Sequence, residues 1–202
     1  MKDIRQQCVD EQDKAAQIFT WCMVVAMHQE EGIGATRLNR ACNEMRAFQA
    51  RYKSKIDSGN RRKATEAMRD VLRGICDFTV RLPQNRAPRN YREERLRMAQ
   101  DEGAEIAWLV MAATAHLTFG FGKERLARLK KEAIDGYRQY IGWVKTDGED
   151  CAEEWLKRCV EQALQEELEV NDIQSGSHPP KLYYSSGVNV EDMIRVMSAV
   201  SA

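Results

Sequence analysis

The sequence predicts an all-α protein, an internally duplicated helical bundle of two related three-helix units that share a core. Three observations carry this. Apolar residues recur at spacings of three and four along most of the chain, the period of one helix face. Clusters of glycine, proline and asparagine interrupt that pattern at intervals that leave long helices between them. The stretch Gly120-Phe121-Gly122-Lys123-Glu124-Arg125-Leu126-Ala127-Arg128 also repeats Gly32-Ile33-Gly34-Ala35-Thr36-Arg37-Leu38-Asn39-Arg40 at an offset of 88 residues. With that shift, 12 of the 45 positions from Asp13 to Asp57 are identical, where roughly three are expected by chance at average composition.

The elements follow in order. A first helix is predicted from near Ile4 to about Glu30, apolar nearly all round from Ile18 to Met27 and so central in a bundle. Gly32 and Gly34 end it and turn the chain. A second helix, from about Ala35 to Lys55, carries the stripe Leu38, Ala41, Cys42, Met45, Phe48 and Tyr52, and Ser58-Gly59-Asn60 breaks it. A third is expected over about 61–81, with Ala64, Met68, Val71, Leu72, Ile75, Cys76 and Phe78 inward. Residues 83–90, with prolines at 83 and 88, form the linker that separates the first repeat (1–82) from the second (91–170). There the plan recurs, with helices from about Tyr91 to Leu117, Lys123 to Val144 and Glu149 to Val170. Residues 171–202 read as a C-terminal loop and a short helix from Val190 to Val200 capped by Asn189, and Leu182 to Tyr184 is the single strand candidate. Trp21 and Trp108, in the two apolar helices, are expected to be buried.

Composition bounds the function. The chain has 202 residues, 31% of them charged, with a net charge of zero. That zero hides two poles. From Arg37 to Arg97 there are 17 Lys/Arg against 7 Asp/Glu, and from Asp147 to Asp172 there are 10 acids against 2 bases. The most apolar run, Ala15 to Met27, spans 13 residues, short of the about 20 that cross a bilayer. The charged opening, Met1 to Asp13, does not suit a secretory signal. Six cysteines without a C-x-x-C pair then read as reduced thiols in a cytoplasmic protein.

Candidate chemistry divides between the poles. In the repeated glycine turns, backbone N–H groups at a helix start, with Arg37 and Arg40 or Arg125 and Arg128 close by, can hold an anion. The competing account is a plain helix–helix turn. The basic middle, with Arg86, Arg89 and Arg92 around Tyr91, suits phosphate contact. Glu149, Asp150, Glu153, Glu154, Glu166 and Glu167 form the expected acidic face for a partner protein. Helical nucleotide pyrophosphohydrolases hold magnesium on paired glutamates, but Lys157 stands where Glu153-Glu154 needs a third acid. His28 and His116 are equivalent under the 88-residue shift yet lack further ligands at metal spacing. No cofactor, no metal and no catalytic residue is therefore expected.

The apolar helix running into Phe119-Gly120-Phe121-Gly122-Lys123-Glu124-Arg125-Leu126-Ala127-Arg128 resembles small helical proteins of phages and prophages in Gram-positive bacteria. The first copy departs from that pattern at Ile33 and Ala35. The resemblance implies a setting in a bacterial host cell and brings no catalytic residues with it. It implies two roles, handling phage nucleic acid or inhibiting a bacterial defence system, as an anti-CRISPR does. The expected function is accordingly a non-enzymatic protein that binds a host protein. Nucleic-acid binding through residues 37–97 is the alternative, and a metal-dependent nucleotide hydrolase the further one.

Overall fold

A computed structural model describes residues 3–41, 43–44, 66 and 69–166, together with the backbone of 168–170 and 182–184. The fold is helical: α1 (Ile4–Gln29), α2 (helical at 35–41 and 43–44), α3 (Tyr91–Phe119), α4 (Lys123–Asp147) and α5 (Glu149–Leu164). Two three-residue strands, β1 (Leu168–Val170) and β2 (Leu182–Tyr184), pair antiparallel, with Leu168 opposite Tyr184.

α1 and α3 form the centre. From Ala15 to Met27 almost every residue of α1 is buried, and α3 is buried without a break from Ala107 to Ala115. Trp21 and Trp108 are both buried, as their place in the apolar runs predicts. Contacts between the two helices advance together along both. Arg92 Nη2 donates to Gln7 Oε1 at 2.6 Å, Gln100 Nε2 donates to Glu11 Oε2 at 2.6 Å, and Gly103 lies against Gln12 and Ala16. The helices therefore run side by side in the same direction, which requires a long connection, and residues 30–90 supply it. At Gly103 the two backbones touch: a Cβ built there falls 2.1 Å from the Gln12 carbonyl oxygen. Ala15, Ala16 and Ala104 keep the flanks of that crossing small.

α4 and α5 close the bundle against α1, burying Leu126, Leu129, Ala133, Tyr137 and Tyr140 from one and Ala152, Leu156, Val160 and Ala163 from the other. Asn90 starts α3 by accepting a hydrogen bond from the Glu93 N–H at 2.9 Å, while the Glu93 carboxylate accepts from the Arg89 N–H at 2.8 Å. Two orphan donors are thus satisfied by side chains, a variant of the capping box. The linker at 83–90 is irregular, as its prolines predict.

Two expectations are corrected. The helix predicted to about Arg81 stops at residue 71, and 76–82 has no regular secondary structure. Gly74 takes a left-handed conformation at φ 77° and ends the turn. Two backbone N–H groups of this segment find their partners on α3 side chains. Leu82 N–H donates to Asp101 Oδ1 at 2.9 Å, and Val80 N–H donates to Glu105 Oε1 at 3.3 Å. Val80 and Leu82 are buried on either side of exposed Arg81, the period of two that marks a strand. The helix predicted to Val170 likewise ends at Leu164. Gln165 turns left-handed at φ 55°, and 168–170 pairs with the one stretch foreseen as a strand. Residues 45–65, Cys42 and Glu167, the loop expected from residue 171 and the helix expected from Val190 lie outside the described residues.

Candidate functional site

The two glycine turns have one geometry. Gly32 and Gly120 sit at φ 63° and 66°, a conformation that favours glycine. After each, the next N–H reaches back six residues, Ile33 to the Met27 carbonyl and Phe121 to the Ala115 carbonyl. Each helix end is thus closed through a left-handed glycine, by a bond that spans one residue more than that of a Schellman motif. The side chains of Ile33 and Phe121 are fully buried below the turn. A histidine braces each: His28 Nδ1 lies 3.1 Å from the Ile33 carbonyl oxygen, and His116 Nδ1 lies 2.9 Å from that of Phe121. A carbonyl only accepts, so Nδ1 carries the proton in both rings. The histidines that the 88-residue shift equates do the same work, each within its own turn.

Across the α1–α3 pair the second turn's arginines meet the first turn's acid. Arg125 donates from Nε to Glu31 Oε2 at 2.8 Å, and its Nη2 lies 2.7 Å from the same oxygen. Arg128 donates from Nε at 2.9 Å and Nη2 at 2.6 Å to Glu31 Oε1. The Arg125 guanidinium also lies 3.8 Å from the centre of the Phe121 ring. In the other direction Arg37, the counterpart of Arg125, lies over Phe119 at 5.3 Å. Phe119 is the counterpart of Glu31. The contact is reciprocal in position and unlike in chemistry.

The Glu31 side chain is only 4% exposed, with both guanidiniums against it. Burial alone raises its carboxyl, but hydrogen bonds from Arg125 and Arg128 outweigh that and hold it below the usual glutamate range. A depressed folded-state value contributes stability that is fully present above the unfolded value, about 4.3, and is lost as pH falls through the folded one. Urea denaturation of the original chain and Glu31→Gln should therefore differ most at neutral pH and converge as the acid end is approached. A difference that is constant across that range would remove the clamp from the account.

The five described acids have different surroundings. Glu149 and Glu153 turn toward α1, where Lys14 Nζ contacts them at 2.6 and 2.5 Å. Burial lowers the Lys14 ammonium, yet its bonds to Glu149 and Glu153 prevail and its pKa rises. Beneath them, burial pushes the Tyr137 and Tyr140 hydroxyls up, with Glu149 adding to both. Asp150 and Glu154 point to solvent, Glu154 paired with Arg158 at 3.0 Å. Glu166 accepts from Asn39 Nδ2 at 3.0 Å, tying the end of α5 to α2.

The basic residues are similarly dispersed. Arg86 pairs with Glu93 at 3.1 Å, Arg92 with Gln7, and Arg89 is exposed with its backbone bonded to Glu93. Arg37 and Arg40 are exposed on α2. The structure thus brings Arg125 and Arg128 together on a single carboxylate and leaves the linker arginines on the rim of α3. Trp143 and Trp155 meet edge to face at 5.7 Å, with Trp155 exposed. Neither this pair nor Glu31, Lys14 and Asp101 is visible as a site from sequence, since each depends on which helices adjoin.

Among the described residues, no three His, Cys, Asp or Glu side chains are grouped so as to hold a metal ion, and no helix is long and apolar enough to cross a membrane. Cys8, Cys22, Cys76, Cys151 and Cys159 are free thiols, and burial raises Cys76 to about 11. In comparison with known proteins, no family model matches the chain, and neither a curated protein nor a solved structure matches it.

Proposed function

We propose that the chain is a duplicated, non-enzymatic binding protein whose acidic half docks on a nucleic-acid-handling host protein. Inhibition of a bacterial defence enzyme is the setting that the phage-like turn suggests. The observation behind the duplication is the paired turns. The same glycine conformation, histidine brace and buried anchor recur 88 residues apart, and their arginines reach to equivalent positions. In such a duplicate each unit presents its partner with the same patch, the rule for a two-fold contact. The observation behind the docking is charge divergence between copies. Residues 1–100 carry 20 bases and 13 acids, and 101–202 carry 11 and 18. A strongly acidic half repels phosphate, so a dedicated nucleic-acid binder gains nothing from it. A protein that enters a basic channel gains both encounter rate and register.

Geometry selects the variant. Glu149 and Glu153 are engaged with Lys14, so reversing them disturbs the bundle. Asp150 and Glu154 face solvent, and their reversal leaves the core alone. Purification from a bacterial host should yield one stoichiometric protein with the original chain and lose it with Asp150→Lys, Glu154→Lys, at unchanged thermal midpoint. The nucleic-acid alternative takes over if the chain binds DNA or RNA with a steep salt dependence, unaffected by that variant and abolished by removing Arg86, Arg89 and Arg92. Turnover of nucleoside triphosphates with magnesium or manganese would establish the hydrolase instead.

A further inference from the structure

The structure points to Arg37 and Arg40 as a binding site for an acidic side chain of a partner protein, the counterpart of the clamp that Arg125 and Arg128 close on Glu31. This rests on the duplication proposed above and on three contacts. In one half, each oxygen of one carboxylate is taken by one arginine, Arg128 at Oε1 and Arg125 at Oε2. In the other half, Arg37 already lies 5.3 Å from the ring of Phe119, the residue that stands where Glu31 has its counterpart. Arg37 therefore reaches toward that position as Arg125 reaches toward Glu31. Arg40, one turn further along α2 as Arg128 is along α4, is exposed. Among the described residues no carboxylate pairs with either arginine. Glu166 reaches the same helix and accepts there from Asn39.

The site thus keeps its donors and has exchanged its internal anion for an aromatic side chain. An arginine pair presents planar forks that match the two oxygens of a carboxylate. Because Arg37 and Arg40 are exposed, a single acidic side chain gains little there in isolation. The site acts as one contact within a larger interface. Carboxylate is favoured over phosphate because the sister clamp is built around a glutamate. Phosphate, which the same forks accept, is the rival that the experiment must separate.

The test has two arms on the full chain. In the first, Phe119→Glu supplies the carboxylate in place. Arg37→Ala and Arg40→Ala are then made in both backgrounds, so that the loss of the Phe119 ring cancels in the cycle. Each arginine removal should lower the thermal midpoint by about 2–4 °C more in the Phe119→Glu background. In the second arm, the Nε–H resonances of the arginines are followed by NMR while an oligoglutamate peptide or inorganic phosphate is added. Oligoglutamate should give saturable shifts at Arg37 and Arg40, and Phe119→Glu should lose them because the site is then filled from within. Absence of coupling in the first arm removes the duplicated geometry, and this inference with it. Coupling without any shift by oligoglutamate leaves the duplication standing and overturns the site. Tighter binding of phosphate than of oligoglutamate overturns the carboxylate assignment.

Discussion

Gly103→Ala is expected to lower the stability of the bundle by about 2–3 kcal/mol, although it adds one methyl group to a helix. In an open helix position the same change is favourable by up to about 1 kcal/mol, since alanine loses less backbone entropy. At Gly103 the new Cβ meets the Gln12 carbonyl oxygen at 2.1 Å and the Ala16 nitrogen at 3.2 Å. Both are backbone atoms of α1, so no side chain can swing aside, and α1 or α3 must move as a body. Overpacking of this kind costs roughly 1–3 kcal/mol and sometimes more. Displacing the two central helices affects everything packed on them, which places this change at the upper end. Gly142→Ala on α4 is the matched control. Nothing lies within 4 Å of its added Cβ, and it should leave stability unchanged or raise it. Urea denaturation of the two variants settles the matter. A neutral Gly103→Ala would mean that the backbones are not in contact at this crossing.

How much of this was legible follows from what each feature depends on. The ends of α1, α3 and α4, the starts of α4 and α5 and the buried tryptophans depend on local pattern, and Ile4, Lys123 and Glu149 begin helices where glycine, apolar period and charge place them. The irregular segment 76–82 was missed because its stabilising partners, Asp101 and Glu105, lie on a later helix. Its only local sign was the short alternation around Arg81. The helix expected to Val170 was overextended for a similar reason: Leu168 to Val170 becomes a strand only because Leu182 to Tyr184 arrives beside it. The charged faces were read from composition, which counts charges without pairing them. Lys14 takes up Glu149 and Glu153, and Glu31 takes up Arg125 and Arg128. The repeat offset was the stronger signal, since adding 88 to Arg37 identifies the arginine that contacts Glu31.

Trp108→Ala is expected to cost about 3–5 kcal/mol, the range for emptying a buried aromatic site. Trp108 is fully buried and donates its indole N–H to the Asp77 carbonyl at 2.9 Å. Lys130 sits over the same ring at 5.8 Å while its ammonium bonds both the carbonyl and the carboxylate of Asp77. One indole therefore fastens α3 and α4 to the segment 76–82. The alanine variant should lose that segment's anchor along with core volume, so trypsin should cut at Arg73 or Arg81 faster than the global stability loss alone predicts. Phenylalanine separates the two contributions. Trp108→Phe keeps most of the apolar volume and removes the hydrogen bond, a loss of roughly 1 kcal/mol beyond the smaller ring. Trp21 provides the comparison, because it is equally buried but its indole nitrogen has no hydrogen-bond partner among the described residues. Trp21→Phe should therefore be the milder of the two phenylalanine variants, and it should leave trypsin cleavage at Arg73 and Arg81 unchanged. If the two variants are equally costly and equally resistant to cleavage, the indole–Asp77 bond does not anchor the segment, and the stabilisation at Trp108 is packing alone.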